Sequence, residues 1–438
     1  MTERALKAWW EDGTPAGTFV ERATRQVEFH PAEESRDRAV SVSLPLNEPP
    51  ETPWTAFNFL DNLLPENATI RARIARQHGV DPNDSFGLIG AIGRECAGAL
   101  VLEPAGEERP EHPASYRPLT DPEFERWLEL RDSQPLMSDE TGRVRLSLAG
   151  AQPKAALYFD EDGHPHVPQD GAATTDIIKP AIRRALPNTV HAEWYCMELA
   201  RALLGDERVA GVELWCRCLR VHRFDRVRSD DGVRRLHQED LCQALGLAVG
   251  SKYEPPRSRK SDFDESFLAR CTRLFDRLGS EGKMVPAIEK QALFRSLLVN
   301  GLLMNADAHL KNYALLHVEG GVRVAPMYDV LCTASIRLRE GGTAGREREP
   351  VAEVELEREL AIRIGRAETI DTIDDAHWIE CGQYQMGLSR RYTQRTLDEL
   401  RGRLLEVLRP TADRLLDLES AAEPAIDAVR RVLERRYR

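Results

Sequence analysis

The spacing of apolar and polar positions changes along this chain, and each change marks an element. Alternation at Ala5–Trp10 and at Ala39–Leu46 predicts two strands, the second broken at Pro45. FNFLDNLLPE, residues 57–66, opens a helical stretch that continues through IRARIARQHG, with Gly79 as its stop. FGLIGAIGRECAGALVLEP then passes from a short helix into a strand ending near Glu103. The next stretch, EPAGEERPEHPASYRP, is rich in Pro and Glu with almost no apolar content, and reads as a linker. Beyond it Asp121 caps a helix through Leu130, and strand-like runs follow in VRLSLAG, AALYFDEDGHPHVP, TTDIIKP and VELWCRCLRVHRFDR. DEDG, Asp160–Gly163, fits a hairpin turn, and one helix over 191–204 interrupts the strands.

From about Gln238 the pattern is mostly helical. Glu289–Asn305 carries apolar residues on nearly every face, so it predicts a buried helix. Arg337–Pro350 is rich in Gly and Arg and reads as a mobile loop. The last hundred residues give amphipathic helices, and the basic end RRVLERRYR reads as a solvated helix face, with nucleic-acid contact as the alternative. The expected domains are 1–104, a linker over 105–120, a strand-rich unit over 121–237 and a helical unit over 238–438. No internal repeat interrupts this order.

Composition narrows the function classes. The chain has 438 residues, and 60 Lys plus Arg against 72 Asp plus Glu give a net charge of −12, which argues against a whole-chain electrostatic grip on nucleic acid. Eight cysteines are scattered, and the one close pair, Cys216 and Cys218, lacks partners for a zinc site. Met1–Lys7 has no signal-peptide core and no apolar run is long enough to span a bilayer, so reduced thiols in a cytoplasm are expected.

The chemistry is concentrated in NADAHLKN, residues 305–312, which sets Asp307 five positions before Asn312. Phosphoryl transfer to a hydroxyl needs a carboxylate to accept the proton and an amide to help hold a metal on the ATP phosphates. Asp329 in APMYDVL, seventeen positions on, is a second acid where a main metal ligand would stand. A strand-rich half followed by a helical half with such a loop is the two-lobed plan of a protein kinase. That plan requires three further parts upstream, and each has a candidate. SLAGAQPK, Ser147–Lys154, offers small residues Ala149, Gly150 and Ala151 for a phosphate-covering loop. Lys179 in DIIKP is the strand lysine, and Glu193 in HAEWYCMELA, fourteen residues later, is its helix partner. Each part alone has an ordinary explanation as a turn former, a tight turn, a solvated lysine or an exposed acid. Their order and spacing together favour the kinase.

On these residues the chain resembles the HipA-type serine/threonine kinases, the toxin half of HipA/HipB toxin-antitoxin modules. The resemblance is carried by FNFLDNLLPE, IGRECAGALVL, SLAGAQPKAAL, DIIKP, HRFDR, HQEDLCQ, NADAHLKNYALL and APMYDVL, in that order, and weakly by LAIRIGR. It implies an α+β, two-lobed protein-kinase-like fold with a mixed α/β N-terminal subdomain and a mostly helical C-terminal lobe. It implies ATP and Mg²⁺ as cofactors, with Asp307 as catalytic base and Asn312 and Asp329 as metal ligands. Lys179 would contact the phosphates with Glu193 behind it, and the backbone of His222 and Phe224 in HRFDR would meet adenine. Gln152, Lys154, His309, Lys311 and Tyr328 complete the nucleotide-facing set, and Ser147 would be the autophosphorylated residue. The resemblance also implies a HipB-like helix-turn-helix antitoxin as partner, contact with operator DNA through that complex alone, and nucleoid association when so bound. The protein substrate would be of the class that includes aminoacyl-tRNA synthetases.

Three positions depart from kinase habit. His309 stands where eukaryotic-type kinases place a lysine, with Lys311 as a replacement charge or a plain surface lysine. His222 stands at a hinge position that is often acidic in the family, and Pro153 stiffens the covering loop. Two other classes remain open at this point: a catalytically silent corepressor on a kinase scaffold, and a small-molecule phosphotransferase. Intact Asp307, Asn312, Asp329 and Lys179 weigh against the first, and the N-terminal hundred residues weigh against the second.

Overall fold

A computed structural model describes residues 3–23, 26–35, 37–106, 115–131, 152–229, 232–255, 265–339 and 353–437. The chain divides into two compact units. The first comprises residues 1–179, 221–252 and 314–319, and the second 180–220, 253–313 and 320–438.

In the first unit, alternation in Arg4–Trp10 drives Leu6, Ala8 and Trp10 inward. This strand pairs antiparallel with Pro15–Ala23 and with Leu100–Pro104, and Gln26–Pro31 completes a four-stranded sheet. Helices Thr55–Asp61, Ala68–His78 and Ser85–Ile92 supply Phe59, Leu60, Ile74, Leu88 and Ile89 to the core that covers the sheet. The single helical stretch expected after residue 57 is two helices. Pro65 lacks an amide proton, and Asn67 starts the second by accepting from the amides of Thr69 and Ile70.

Two further expectations need correction in this unit. Val40, Val42 and Leu44 are buried, but 39–46 is a turn and not a strand. The turn closes on the buried Glu239, whose carboxylate accepts from the Ser41 hydroxyl, from the Val42 amide at 2.9 Å and from His317 Nε2 at 2.9 Å. Satisfying a buried carboxylate outweighs strand propensity here. Ser115–Pro118, inside the stretch read as linker, is a strand, paired with Pro165–Gln169. That strand belongs to an antiparallel run in the order Ser115–Pro118, Pro165–Gln169, Ala155–Phe159, Asp176–Pro180. The DEDG turn closes the hairpin as expected, with Gly163 at φ 82° and its amide on the Asp160 carbonyl at 3.1 Å.

The second unit is mainly helical. Its helices are Thr189–Leu204, Phe267–Ser280, Pro286–Leu302, Asp375–Glu380, Arg390–Leu418 and Glu423–Tyr437. Thr189–Leu204 packs against Arg390–Leu418 and Glu423–Tyr437, and the Tyr195 hydroxyl donates to the Leu408 carbonyl at 2.6 Å. Pro286–Leu302 is buried along most of its length, as its sequence predicts. Gly301 is required there, because a Cβ would lie 2.4 Å from the Trp378 ring. Arg337–Arg339, the start of the expected mobile loop, is instead a strand between Ala185–Leu186 and Glu353–Glu355.

None of the eight cysteines forms a disulfide, and Cys216 sits exposed at φ 46° in a tight turn before the buried Cys218. Among the described residues no helix is long and apolar enough to cross a membrane.

Candidate active site

The NADAHLKN loop begins where the buried helix Pro286–Leu302 stops. Met304 takes the left-handed conformation at φ 57°, which ends the helix and turns the chain. Asn305 is then tied back to that helix: its amide donates to the Asn300 carbonyl at 2.9 Å and its side chain to Asn300 Oδ1 at 2.9 Å. Asn300 in turn donates to the buried Tyr313 hydroxyl at 3.0 Å. Thr333 clamps the next residue, accepting from the Ala306 amide at 2.8 Å while donating to the Met304 carbonyl at 3.1 Å. These bonds satisfy the buried backbone of a segment that is neither helix nor strand.

On this support the candidate groups come together. The Asp307 amide donates to Asn305 Oδ1 at 3.2 Å, and its carboxylate is exposed. Asn312 is buried; its Oδ1 accepts from the His309 amide at 3.0 Å and its Nδ2 donates to Asp329 Oδ2 at 2.9 Å. Asp329 lies at φ 61°, a conformation costing roughly 1–3 kcal/mol for a residue with a side chain, and such outliers cluster at functional sites. Tyr328 stands beside it, its hydroxyl on the Lys311 carbonyl at 2.7 Å. Lys311 is buried, which removes its reading as a plain surface lysine. Tyr253, which lies in no sequence motif, donates its hydroxyl to Asp307 Oδ1 at 2.9 Å.

The donor set suits a hard cation. Asp329 supplies a carboxylate and Asn312 an amide oxygen with a second lone pair, both oxygen ligands of the kind Mg²⁺ takes. Among the described residues no cluster of three or more His, Cys, Asp or Glu could hold a metal by itself.

The first unit carries the other candidates. Gln152 and Lys154 are half-buried just before the strand Ala155–Phe159, while Ser147, Ala149, Gly150 and Ala151 lie outside the described residues. Lys179 is buried near the end of its strand, and Glu193 is buried on its helix in the second unit. In HRFDR the side chains alternate. His222 reaches the buried Asp176 at 2.6 Å through Nδ1, and Phe224 is half-buried.

Arg223, Asp225 and Arg226 turn the other way, into a buried ion cluster that the sequence did not announce. Glu95 meets Arg223 at 3.0 Å, Arg226 at 2.9 Å and Arg235 at 2.8 Å. Asp225 meets Arg223 and Arg226 at 2.8 Å each and accepts from the Gly98 amide at 2.8 Å. Burial pushes both carboxyls up, but the surrounding guanidinium charges outweigh it and hold Glu95 and Asp225 below the ordinary carboxylate range. Gly98 permits the approach: a Cβ there would lie 2.9 Å from His237 and Gln238.

Comparison with known proteins accounts for both parts of the chain. Residues 6–103 match the model of the HipA N-terminal domain, and residues 146–408 match that of the HipA-like C-terminal domain. Y4mE of Sinorhizobium fredii, which carries a provisional kinase name, is 33% identical over 433 residues, covering 95% of each chain. The serine/threonine-protein kinase toxin HipA of Shewanella oneidensis is 34% identical over 282 residues, 62% of each chain. A solved complex of HipA, HipB and operator DNA from Shewanella oneidensis superposes with a TM-score of 0.74 at 25% identity, covering 98% of this chain and 97% of that one. The α+β, kinase-like fold expected from the sequence is therefore the fold of this chain.

Proposed function

This chain belongs to the HipA family, and from that premise we propose that it is an ATP- and Mg²⁺-dependent protein serine/threonine kinase acting as the toxin of a toxin-antitoxin pair. The observation that carries the reading is the loop itself. An exposed carboxylate, Asp307, stands in one bonded segment with an amide, Asn312, that touches a second acid, Asp329, at 2.9 Å.

In the proposed reaction Asp307 accepts the proton of a protein Ser or Thr hydroxyl as that oxygen bonds to the γ-phosphorus of ATP and the bond from that phosphorus to ADP breaks, so that ADP leaves. Asn312 and Asp329 would hold Mg²⁺, which would supply charge neutralisation to the phosphates. Lys179, steadied by Glu193, contacts the same phosphates, with Gln152, Lys154 and the small residues Ala149, Gly150 and Ala151 covering them. His309, Lys311 and Tyr328 line the nucleotide side of the catalytic loop, and the backbone of His222 and Phe224 meets adenine. Ser147 is the proposed autophosphorylation site. A doubly charged group there disturbs a loop that must close over phosphates, so its modification inactivates the enzyme.

The proposed domain plan is 1–104, a linker within 105–120, a strand-rich lobe to 237 and a helical lobe to 438. A HipB-like helix-turn-helix antitoxin is the proposed partner, supported by the HipA and HipB complex that shares this fold. DNA contact is proposed through that complex, which would sit on the nucleoid of a cytoplasmic pair. The substrate is proposed to be a cellular protein of the class that includes aminoacyl-tRNA synthetases.

The test incubates purified protein with labelled ATP, Mg²⁺ and cell lysate, with Asp307→Asn as control. Label on Ser147 or on one lysate protein, absent from the control, is the expected outcome. No label in either sinks the kinase reading and leaves a silent scaffold.

A further inference from the structure

Tyr253 puts a hydroxyl where the proposed reaction needs one. Its phenol donates to Asp307 Oδ1 at 2.9 Å, within the distance at which a general base holds the proton it will take. Its ring stands edge-on to His309, 5.3 Å between centroids.

The backbone beside Tyr253 is fixed while its side chain is not buried. The next residue, Glu254, donates its amide to the Ala361 carbonyl at 2.8 Å, and the Ala361 amide donates to the carbonyl of Ala306, the residue before Asp307. The buried Glu254 carboxylate accepts from the Phe267 amide at 3.1 Å, and from the Arg363 amide at 2.8 Å and guanidinium at 2.6 Å. Tyr253 itself is 46% exposed. Rotation about its side-chain bonds therefore moves the phenol into water without disturbing the anchor. Nor does the loop depend on it for shape, because Asn305, Thr333 and Ala361 already bind the backbone on either side of Asp307.

We infer that Tyr253 occupies the acceptor-hydroxyl position on Asp307, so that an incoming acceptor must displace its phenol before the carboxylate can take a proton. The inference rests on the phosphotransfer reading above. It differs from a positioning role in sign. A residue that merely orients Asp307 lowers the rate when removed, whereas a resident competitor raises it.

The full-length protein with Mg²⁺ and ATP, and water as acceptor, gives a readout that needs no identified substrate. Water forms the new O–P bond, the bond to ADP breaks, and the proton of water passes to Asp307. Tyr253→Phe is expected to release ADP about five-fold faster, the effect of freeing one hydrogen bond of ordinary strength. Tyr253→Ala should be at least as fast. Slower or unchanged release in both variants overturns the competition.

A second readout separates this inference from the function it rests on. In protein labelled at tyrosine Cζ with ¹³C, the signal lost in Tyr253→Phe should move in Asp307→Asn without any nucleotide. A signal that does not move overturns the contact. No ADP from any protein, with the signal still moving, overturns the phosphotransfer reading and the competition with it.

Discussion

Glu95 and Asp225, in the first unit, are held by arginines; Asp307 and Asp329, in the second, are held by a phenol and an amide. Both arrangements put acids beside a turn of irregular backbone, but they serve opposite ends. In the first unit the charges are neutralised where they stand, and nearly all of that cluster is withdrawn from water. Such a cluster fixes a unique arrangement, here joining residues near 95 to HRFDR and to Arg235, and offers little to a ligand. In the second unit Asp307 reaches solvent, and the donors shown on both acids are neutral groups that a cation or a substrate hydroxyl can displace. A carboxylate's bonding partners, more than its count of bonds, set whether its charge is neutralised in place or left open to a ligand.

Substitutions can break this contrast. The largest effect is expected at Asp307→Asn, which should lower phosphate transfer by about 10²–10⁴-fold, the usual worth of a positioned general base, while thermal unfolding stays unchanged. Glu95→Gln should do the reverse. It leaves three guanidinium groups around a neutral amide, and a loss of about 3–5 kcal/mol in denaturant unfolding is expected. If both variants lost activity without losing stability, the contrast would fail.

Acid should weaken the first unit through one buried histidine. His237 is buried against Trp10 and His317, with Nε2 on the Val40 carbonyl at 2.9 Å. Burial, then the neighbouring His317, push its pKa down from 6.5 to about 3, with Arg38 adding to this and Asp225 and the Val40 carbonyl opposing it. Because the folded value lies below the unfolded one, the neutral ring contributes stability that is complete above about pH 6.5. That stability is lost as pH falls from there toward about 3. At 1.36 kcal/mol per unit, roughly 2 kcal/mol should be gone by about pH 5. Replacing His237 by Gln should flatten that part of the pH–stability curve; an unchanged slope would show that other groups set it. A smaller effect is expected from Thr333→Val, which leaves the Ala306 amide without its hydroxyl acceptor. About 1–2 kcal/mol should be lost, with a shift in the denaturant midpoint and a slower reaction.

The sequence made the helices and the loop motif legible because both are local. Pro286–Leu302 announces itself through apolar periodicity, and Asp307, Asn312 and Asp329 through spacing along one segment. What was not legible depends on partners far apart in the chain. Val40–Leu44 alternates like a strand, yet Glu239, two hundred positions on, recruits Ser41 and Val42 into a turn. Arg223, Asp225 and Arg226 look like surface charges until Glu95 is brought beside them. Tyr253 carries no motif at all, and its place against Asp307 follows from the anchor at Glu254 and Ala361. Ser115–Pro118 is polar enough to read as linker because it is an edge strand, with alternate residues exposed.

The Asn305–Asn312 loop with Asp329 is proposed to transfer phosphate. Intact-protein mass spectrometry after incubation with Mg²⁺ and ATP tests it most directly. A gain of one phosphate is expected in the wild-type chain, on Ser147, and none in Asp307→Asn or Asp329→Asn. Equal phosphate on all three proteins, or none on any, would contradict it.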